Sequence, residues 1–77
     1  MPVYEIAMLI DARGLPSPLA TTRTRDCLRS VHPGEVVEVF ATDPDAVVDV
    51  PAWATSTGHQ LLDYNSTGST YTFVIRK

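Results

Sequence analysis

The chain has 77 residues, of which 44% are hydrophobic and 19% charged, with a formal net charge of −3 at pH 7. This composition is typical of a globular domain and excludes a disordered tail, and the negative charge argues against nonspecific nucleic-acid binding, which depends on neutralising phosphates. No apolar run approaches the roughly 20 residues of a transmembrane helix, and Met1–Glu5 lacks the basic region of a signal peptide. We therefore expect one domain, residues 1–77, in the cytoplasm, where a single cysteine, Cys27, stays reduced.

A first strand is predicted from Tyr4 to Ile10, because hydrophobic residues recur there at every second position. Residues 11–16 have the composition of a turn. Gly14 can adopt a positive φ in this turn, and proline at position 16 restricts the backbone around it.

The first helix is predicted from about Pro18 to Val31. Ser17 precedes a proline that can occupy the first helical position, so we assign Ser17 as the N-cap, with its side-chain oxygen accepting from a first-turn amide. The side chains expected to face the core are Ala20, Thr24, Cys27, Leu28 and Val31. This position favours a packing role for Cys27, and a reactive thiol is the alternative.

A second strand is predicted over Glu35–Ala41, followed by a second cap-and-proline pair, Asp43 and Pro44. One continuous helix is not expected after this pair, because Pro51 would remove an internal hydrogen bond. The segments expected instead are a short turn over 44–48 and a helix from about Val50 to Thr57 that Asp49 caps.

Two further strands are predicted, His59–Tyr64 and Thr70–Arg76, with a hairpin loop over Asn65–Ser69 between them. The element order is then β-α-β-α-β-β. Packing both helices on one face of a mixed four-stranded sheet would bury all of the apolar stripes. The sequence therefore predicts an α+β fold, a two-layer α/β sandwich.

Six short segments carry a family pattern across nearly the whole chain. They are Asp11–Leu19, Gly34–Val36, Ala41–Pro44, Asp49–Ala52, Thr57–His59 and Phe73–Lys77. In order and spacing they resemble the TusA-like (SirA-like) sulfur-carrier family. The fold that this resemblance implies is similar to the C-terminal domain of translation initiation factor three, which has the predicted arrangement of elements.

The signature of that family is Cys-Pro-x-Pro, whose Cys carries a persulfide sulfur between proteins. The corresponding residues here are Ser17-Pro18-Leu19-Ala20. The resemblance implies a carrier that accepts sulfur from a donor protein, such as a rhodanese or a cysteine desulfurase, and passes it to an acceptor protein. With Ser17 at the carrier position, we expect no transfer, because a hydroxyl has no route to a persulfide. Two origins of Ser17 stay open: a deliberate replacement of Cys, and a natural change in a member with lost or altered activity.

The residues expected to bind partners surround Ser17 in the sequence. They are Arg13, Gly14, Leu15, Pro16, Pro18 and Arg23. The alternative function is a non-catalytic regulatory or binding module that docks on sulfur-relay proteins. Nucleic-acid binding by analogy with the initiation-factor fold is disfavoured by the net charge. No metal or cofactor is expected, because two His and one Cys lie far apart in the sequence.

The charged residues are unevenly placed along the chain. Arginines fall in the first turn and helix, at positions 13, 23, 25 and 29, whereas Asp43, Asp45 and Asp49 cluster around the second helix. This distribution predicts a basic pole around Ser17 and a separate acidic pole. An ordinary solvated helix face and a docking patch for an acidic partner surface both fit it.

Overall fold

Two helices cover one face of a four-stranded sheet in the computed structural model, which describes residues 3–77. The elements are β1 (Ile6–Ala12), α1 (Ser17–Leu28), β2 (Val36–Ala41), α2 (Ala46–Ser56), β3 (Gln60–Thr67) and β4 (Thr70–Arg76). The α+β class and the element order that the sequence predicts are confirmed. Within residues 3–77, no helix combines the length and the apolar character needed to cross a membrane.

The sheet has the strand order β1-β2-β4-β3. β1 and β2 are parallel, whereas β4 is antiparallel to both of its neighbours. Because β1 and β2 run in the same direction, their C-terminal ends lie at one edge of the sheet. The segments that lead from these strands into α1 and α2 therefore begin side by side, and this placement builds the site described below.

The core lies between the sheet and the helices. The predicted alternation along the strands is confirmed, since every second residue of β1, β2 and β4 points into this layer. The buried side chains of the sheet are Ile10, Ala12, Val37, Val39, Ala41, Phe73 and Ile75, and the helices add Ala20, Leu28, Ala46 and Val50. Trp53 and Cys27 are half-buried and pack against this cluster.

Several boundaries differ from the predicted ones because backbone pairing continues past the sequence signals. β1 extends to Ala12, since Asp11 and Ala12 pair with the end of β2. β3 extends to Thr67, so the expected loop contracts to the two residues Gly68 and Ser69, and Gly68 has the positive φ of 60° that this tight turn requires. α1 ends at Leu28, although Val31 beyond it is still buried.

The prediction for α2 is wrong in one respect, because the helix is continuous through Pro51. Pro51 is the sixth residue of α2, so its missing N–H costs only the bond to the carbonyl of Val47. Val47 is 37% exposed, so the residue that loses this bond lies outside the buried core. Asp49 consequently lies inside the helix and does not cap it. The carboxylate of Asp43 accepts from the amide of Asp45, at 3.0 Å, in the turn that precedes the helix.

Candidate functional site

The turn between β1 and α1 contacts the turn between β2 and α2. The amide of Gly14 donates to the hydroxyl oxygen of Thr42 at 2.8 Å. Gly14 has a φ of 79°, a backbone conformation that other residues rarely adopt, so a glycine suits this bend. Three residues further, the amide of Ser17 donates to Oδ2 of Asp43, also at 2.8 Å. The start of α1 is thus fixed by the segment that follows β2.

Ser17 is the first residue of α1 and is fully buried. Its hydroxyl donates to Oδ2 of Asp49 in α2 at 2.8 Å. The prediction that Ser17 is the N-cap is wrong: Pro16 occupies the cap position with extended backbone, at ψ 150°, and it has no side-chain group that could cap the helix. The Ser17 backbone is already helical, so its side chain is directed to the neighbouring helix and not to its own first turn.

Two carboxylates therefore meet the N-terminus of α1 at residue 17, one at the amide and one at the hydroxyl. Free amides and the positive end of the helix dipole favour anions at this position. Here the protein itself supplies those anions, Asp43 and Asp49. The predicted separation of a basic pole around Ser17 from an acidic pole is wrong, because parallel pairing of β1 and β2 brings the acidic segment to the start of α1.

The two arginines expected beside Ser17 are engaged around Asp11. The guanidinium of Arg13 forms a two-pronged pair with the Asp11 carboxylate, with N–O distances of 2.9 and 3.0 Å. Hydrogen bonds from the Arg13 side chain, and then from its backbone amide, lower the pKa of Asp11 from 3.8 to about 2. Nη1 of Arg23 donates to the carbonyl oxygen of Asp11 at 3.0 Å. In the described part of the chain, neither guanidinium hydrogen-bonds to Ser17.

The other residues expected to bind partners lie on the outside of the same turn. Gly14, Pro16 and Pro18 are exposed, and Leu15 is half-buried against the core. A shallow groove on the outer side of α1 joins Leu15 to Arg23, and its lining residues are Leu15, Leu19, Thr22, Arg23 and Asp26. Leu19 is 52% exposed, which gives this groove an apolar wall open to solvent.

Cys27 lies apart from this turn. It is ten residues along α1 from Ser17, about 15 Å at the rise of an α-helix. Its half-buried side chain packs against the core cluster. Among residues 3–77, no group of three or more His, Cys, Asp or Glu side chains could hold a metal ion.

Sequence reasoning missed the contacts of Ser17 with Asp43 and Asp49. These pairs are separated by 26 and 32 residues, whereas the sequence pattern predicts only local capping roles for both aspartates. The signal that could have found them is the predicted β-α-β order at the start of the chain, since a helix between two neighbouring strands makes them parallel. Parallel neighbours place their C-terminal turns together, so acidic residues after the second strand belong near the residue that starts the first helix.

Comparisons with known proteins match almost the whole chain. The family model described as Sulfurtransferase TusA matches residues 8–77. The sulfur carrier protein TusA of Allochromatium vinosum is 38% identical over 68 residues, which are 88% of this chain and 90% of that protein. YrkI of Bacillus subtilis is 38% identical over 69 residues, covering 90% of this chain and 92% of that protein.

Two further matches differ in what they cover or show. YrkF of Bacillus subtilis is 36% identical over 75 residues, and the match covers 97% of this chain but only 40% of that longer protein. The crystal structure of a SirA-like protein from Desulfitobacterium hafniense superposes with a TM-score of 0.77, at 22% identity, over 90% of this chain and 95% of that one. At that identity, the structural likeness supports the fold alone.

Proposed function

Because the chain belongs to the TusA family of sulfur carriers, we propose that residue 17 is its carrier position and that the Ser17 form docks on sulfur-relay partners without holding sulfur. The observation that carries this proposal is the place of Ser17, at the first residue of α1 beside an exposed turn. Carriers of the family act with partner proteins. For this chain we propose a rhodanese or a cysteine desulfurase as donor, a protein acceptor, and the cytoplasm as compartment.

Loading of a carrier needs a thiolate. The thiolate attacks the outer sulfur of the donor's persulfide, a new sulfur–sulfur bond forms, and the bond between the two donor sulfurs breaks. The donor's inner sulfur leaves as a thiolate, so atoms and electrons balance with no oxidant. The hydroxyl of Ser17 cannot form a sulfur–sulfur bond, and its proton is held against Asp49 at 2.8 Å. The Ser17 form therefore keeps the surface of a carrier but lacks its reactive atom.

The docking part of the proposal rests on the surface around this position. Leu19 exposes an apolar side chain next to Pro18, and the groove beyond it is also lined by two charged residues, Arg23 and Asp26. An apolar centre with a polar rim is the usual anatomy of a protein interface. Its small extent suits a transient contact, as a relay between several partners needs.

Intact-mass spectrometry tests the carrier position. The unchanged protein and its Ser17→Cys variant are each mixed with a persulfide-loaded sulfurtransferase, and Cys27→Ala is placed in both backgrounds as a control. We expect a gain of one sulfur atom only where Ser17→Cys is present, with or without Cys27. Uptake by the unchanged protein that Cys27→Ala abolishes would instead make Cys27 the reactive thiol and overturn the proposal.

A binding measurement tests the docking part on the same proteins. The unchanged protein should bind the sulfurtransferase in isothermal titration calorimetry, and Leu19→Asp should weaken this binding by at least tenfold, because it places a charge in the apolar centre. The matched control is Val48→Asp, an apolar position on α2 outside the groove that is exposed like Leu19, at 70% against 52%. Equal effects of the two changes would contradict docking at the groove.

A further inference from the structure

We infer that Asp49 is a positioning residue that decides which charge position 17 can hold: it keeps a protonated side chain there and opposes an anionic one. This inference rests on the proposed role of residue 17 as the carrier position and deepens it. It concerns the difference between a hydroxyl, which Asp49 favours, and a thiolate or persulfide anion, which Asp49 disfavours.

Both hydrogen-bond donors of Ser17, its hydroxyl and its amide, are bound to carboxylates. The hydroxyl of Ser17 has its donor directed to Asp49 at 2.8 Å, and the backbone amide of the same residue is taken by Asp43 at the same distance. Ser17 has no exposed surface, so water does not screen these contacts from its side. A side chain that lost its proton here would face a carboxylate at hydrogen-bond distance, and two like charges so close repel each other. Asp49 itself is exposed, so solvent weakens this repulsion from the Asp49 side but not from the buried side of residue 17.

The charged groups on the neighbouring elements offset this repulsion only in part. α2 contributes Asp49 and the segment before it contributes Asp43, both negative. From the end of β1, Asp11 and Arg13 form a pair whose charges cancel, and on α1 Arg23 contributes one positive charge, directed to the carbonyl oxygen of Asp11, against the two negative charges of Asp43 and Asp49. The positive end of the α1 dipole is already matched by the two carboxylates. The balance at residue 17 is therefore negative.

The consequence concerns the simplest attempt to restore a carrier. A thiol introduced by Ser17→Cys would take over the hydroxyl's donor role toward Asp49 and would stay protonated to a higher pH than a thiol at an unoccupied helix N-terminus. Neutralising Asp49 removes the like charge and keeps a side chain of the same shape. Asp49→Asn should thus free the anionic form of that thiol.

The test is the pH dependence of alkylation by iodoacetamide, followed by mass spectrometry in a Cys27→Ala background. Ser17→Cys is compared with Ser17→Cys/Asp49→Asn, and we expect the second to react with a midpoint about one pH unit lower. The matched control is Ser17→Cys/Asp45→Asn, since Asp45 is an exposed carboxylate at the start of the same helix whose side chain makes no capping bond. Its midpoint should stay within a few tenths of a unit.

An unchanged midpoint in the Asp49 variant, or an equal shift in the Asp45 variant, would overturn the inference. Circular dichroism checks that each variant is folded, and if Asp49→Asn is not, Asp49→Ser replaces it and must show the same shift. A purely structural role of Asp49 would change stability without moving the midpoint. Alkylation needs no sulfur donor, so a shift without sulfur uptake would defeat the proposed function alone, and uptake without a shift would defeat this inference alone.

Discussion

The two ends of α1 are held in the same way by charges of opposite sign. At the N-terminal end, Asp43 and Asp49 accept hydrogen bonds from Ser17. Beyond the C-terminal end, the ammonium of Lys77 donates to the carbonyl oxygens of Leu28 and Val31, at 2.5 and 2.7 Å. Anions at the start and a cation at the end both complement the helix dipole, and all three side chains come from distant parts of the sequence.

The two ends differ in the groups that the charged side chains contact. Within residues 3–77 the ammonium of Lys77 hydrogen-bonds to the backbone carbonyls of Leu28 and Val31, so its contribution is to stability. Asp49 accepts from the side chain at the proposed carrier position, Ser17. At that end, the helix dipole can stabilise either the carboxylates or an anionic sulfur. A hydroxyl avoids this conflict, because it donates a hydrogen bond to Asp49 and stays uncharged. A charged side chain at a helix end therefore only stabilises the structure at the C-terminal end, whereas at the N-terminal end it also disfavours an anionic side chain at residue 17.

The largest expected effect on stability is that of Asp43→Ala. Its carboxylate accepts from the amides of Ser17 and Asp45, so the change leaves the first amide of α1 without a partner inside the structure. We expect a loss of about 2 kcal/mol in the free energy of unfolding, the upper part of the range for helix caps. Urea unfolding followed by circular dichroism measures it.

Asp45→Ala is the matched control for that change. Asp45 lies two residues further on and is exposed, and its side chain makes no capping bond. Its loss should cost less than about 0.5 kcal/mol, as is usual for surface positions. Equal losses for the two variants would mean that the contact with Ser17 does not hold the N-terminal end of α1.

Lys77→Met should have the next largest effect. It keeps most of the aliphatic stem and removes the ammonium, which leaves the carbonyls of Leu28 and Val31 to water. We expect a loss of about 1.5 kcal/mol, the low end for hydrogen bonds from charged groups, because Lys77 is only half-buried. The control is Arg76→Met on the exposed neighbour, whose side-chain hydrogen bond to Gln60 is long at 3.3 Å. A loss no larger than that of the control would show that the ammonium does not stabilise this end.

The fold could be predicted from the sequence because its signals are local. Alternation of apolar and polar residues defined β4 at Thr70–Arg76 with the observed bounds, and the order of elements followed from such patterns. The wrong prediction for α2 also has a physical reason. Pro51 is a breaker by propensity, yet the packing of Val50 and Ala54, both fully buried, outweighs one lost hydrogen bond.

The surroundings of the site could be predicted only in part. The position of Ser17 at the start of a helix followed from the proline beside it, but its hydrogen-bond partners did not. Local reasoning made a cap of each polar residue before a helix: Ser17, Asp43 and Asp49. Only Asp43 accepts from a nearby amide, and it also bonds across to Ser17. Such contacts depend on which strands pair, and that is decided by the whole core.

The smallest expected effect concerns Arg13, the nearest arginine to residue 17 in the sequence. Arg13→Gln removes the guanidinium that lowers the pKa of Asp11, so that pKa should rise from about 2 toward 3.8. Because the folded-state pKa is depressed, the pair adds stability that is present above pH 3.8 and lost as the pH falls through about 2. The variant should lack this acid dependence. The chemical shift of the Asp11 carboxyl carbon, followed by NMR from pH 1.5 to 6, measures the change, about one to two pH units.

The same substitution separates the roles of Asp11 and Asp49, two carboxylates near the start of α1. Arg13 bonds to Asp11 and not to Ser17, so Arg13→Gln should leave the alkylation midpoint of the Ser17→Cys thiol almost unchanged, whereas Asp49→Asn lowers it. An upward shift of that midpoint in the Arg13 variant would mean that the guanidinium field reaches residue 17 despite its pairing with Asp11. The N-terminal end of α1 would then hold balanced charge, and the contrast with the Lys77 end would rest on geometry alone.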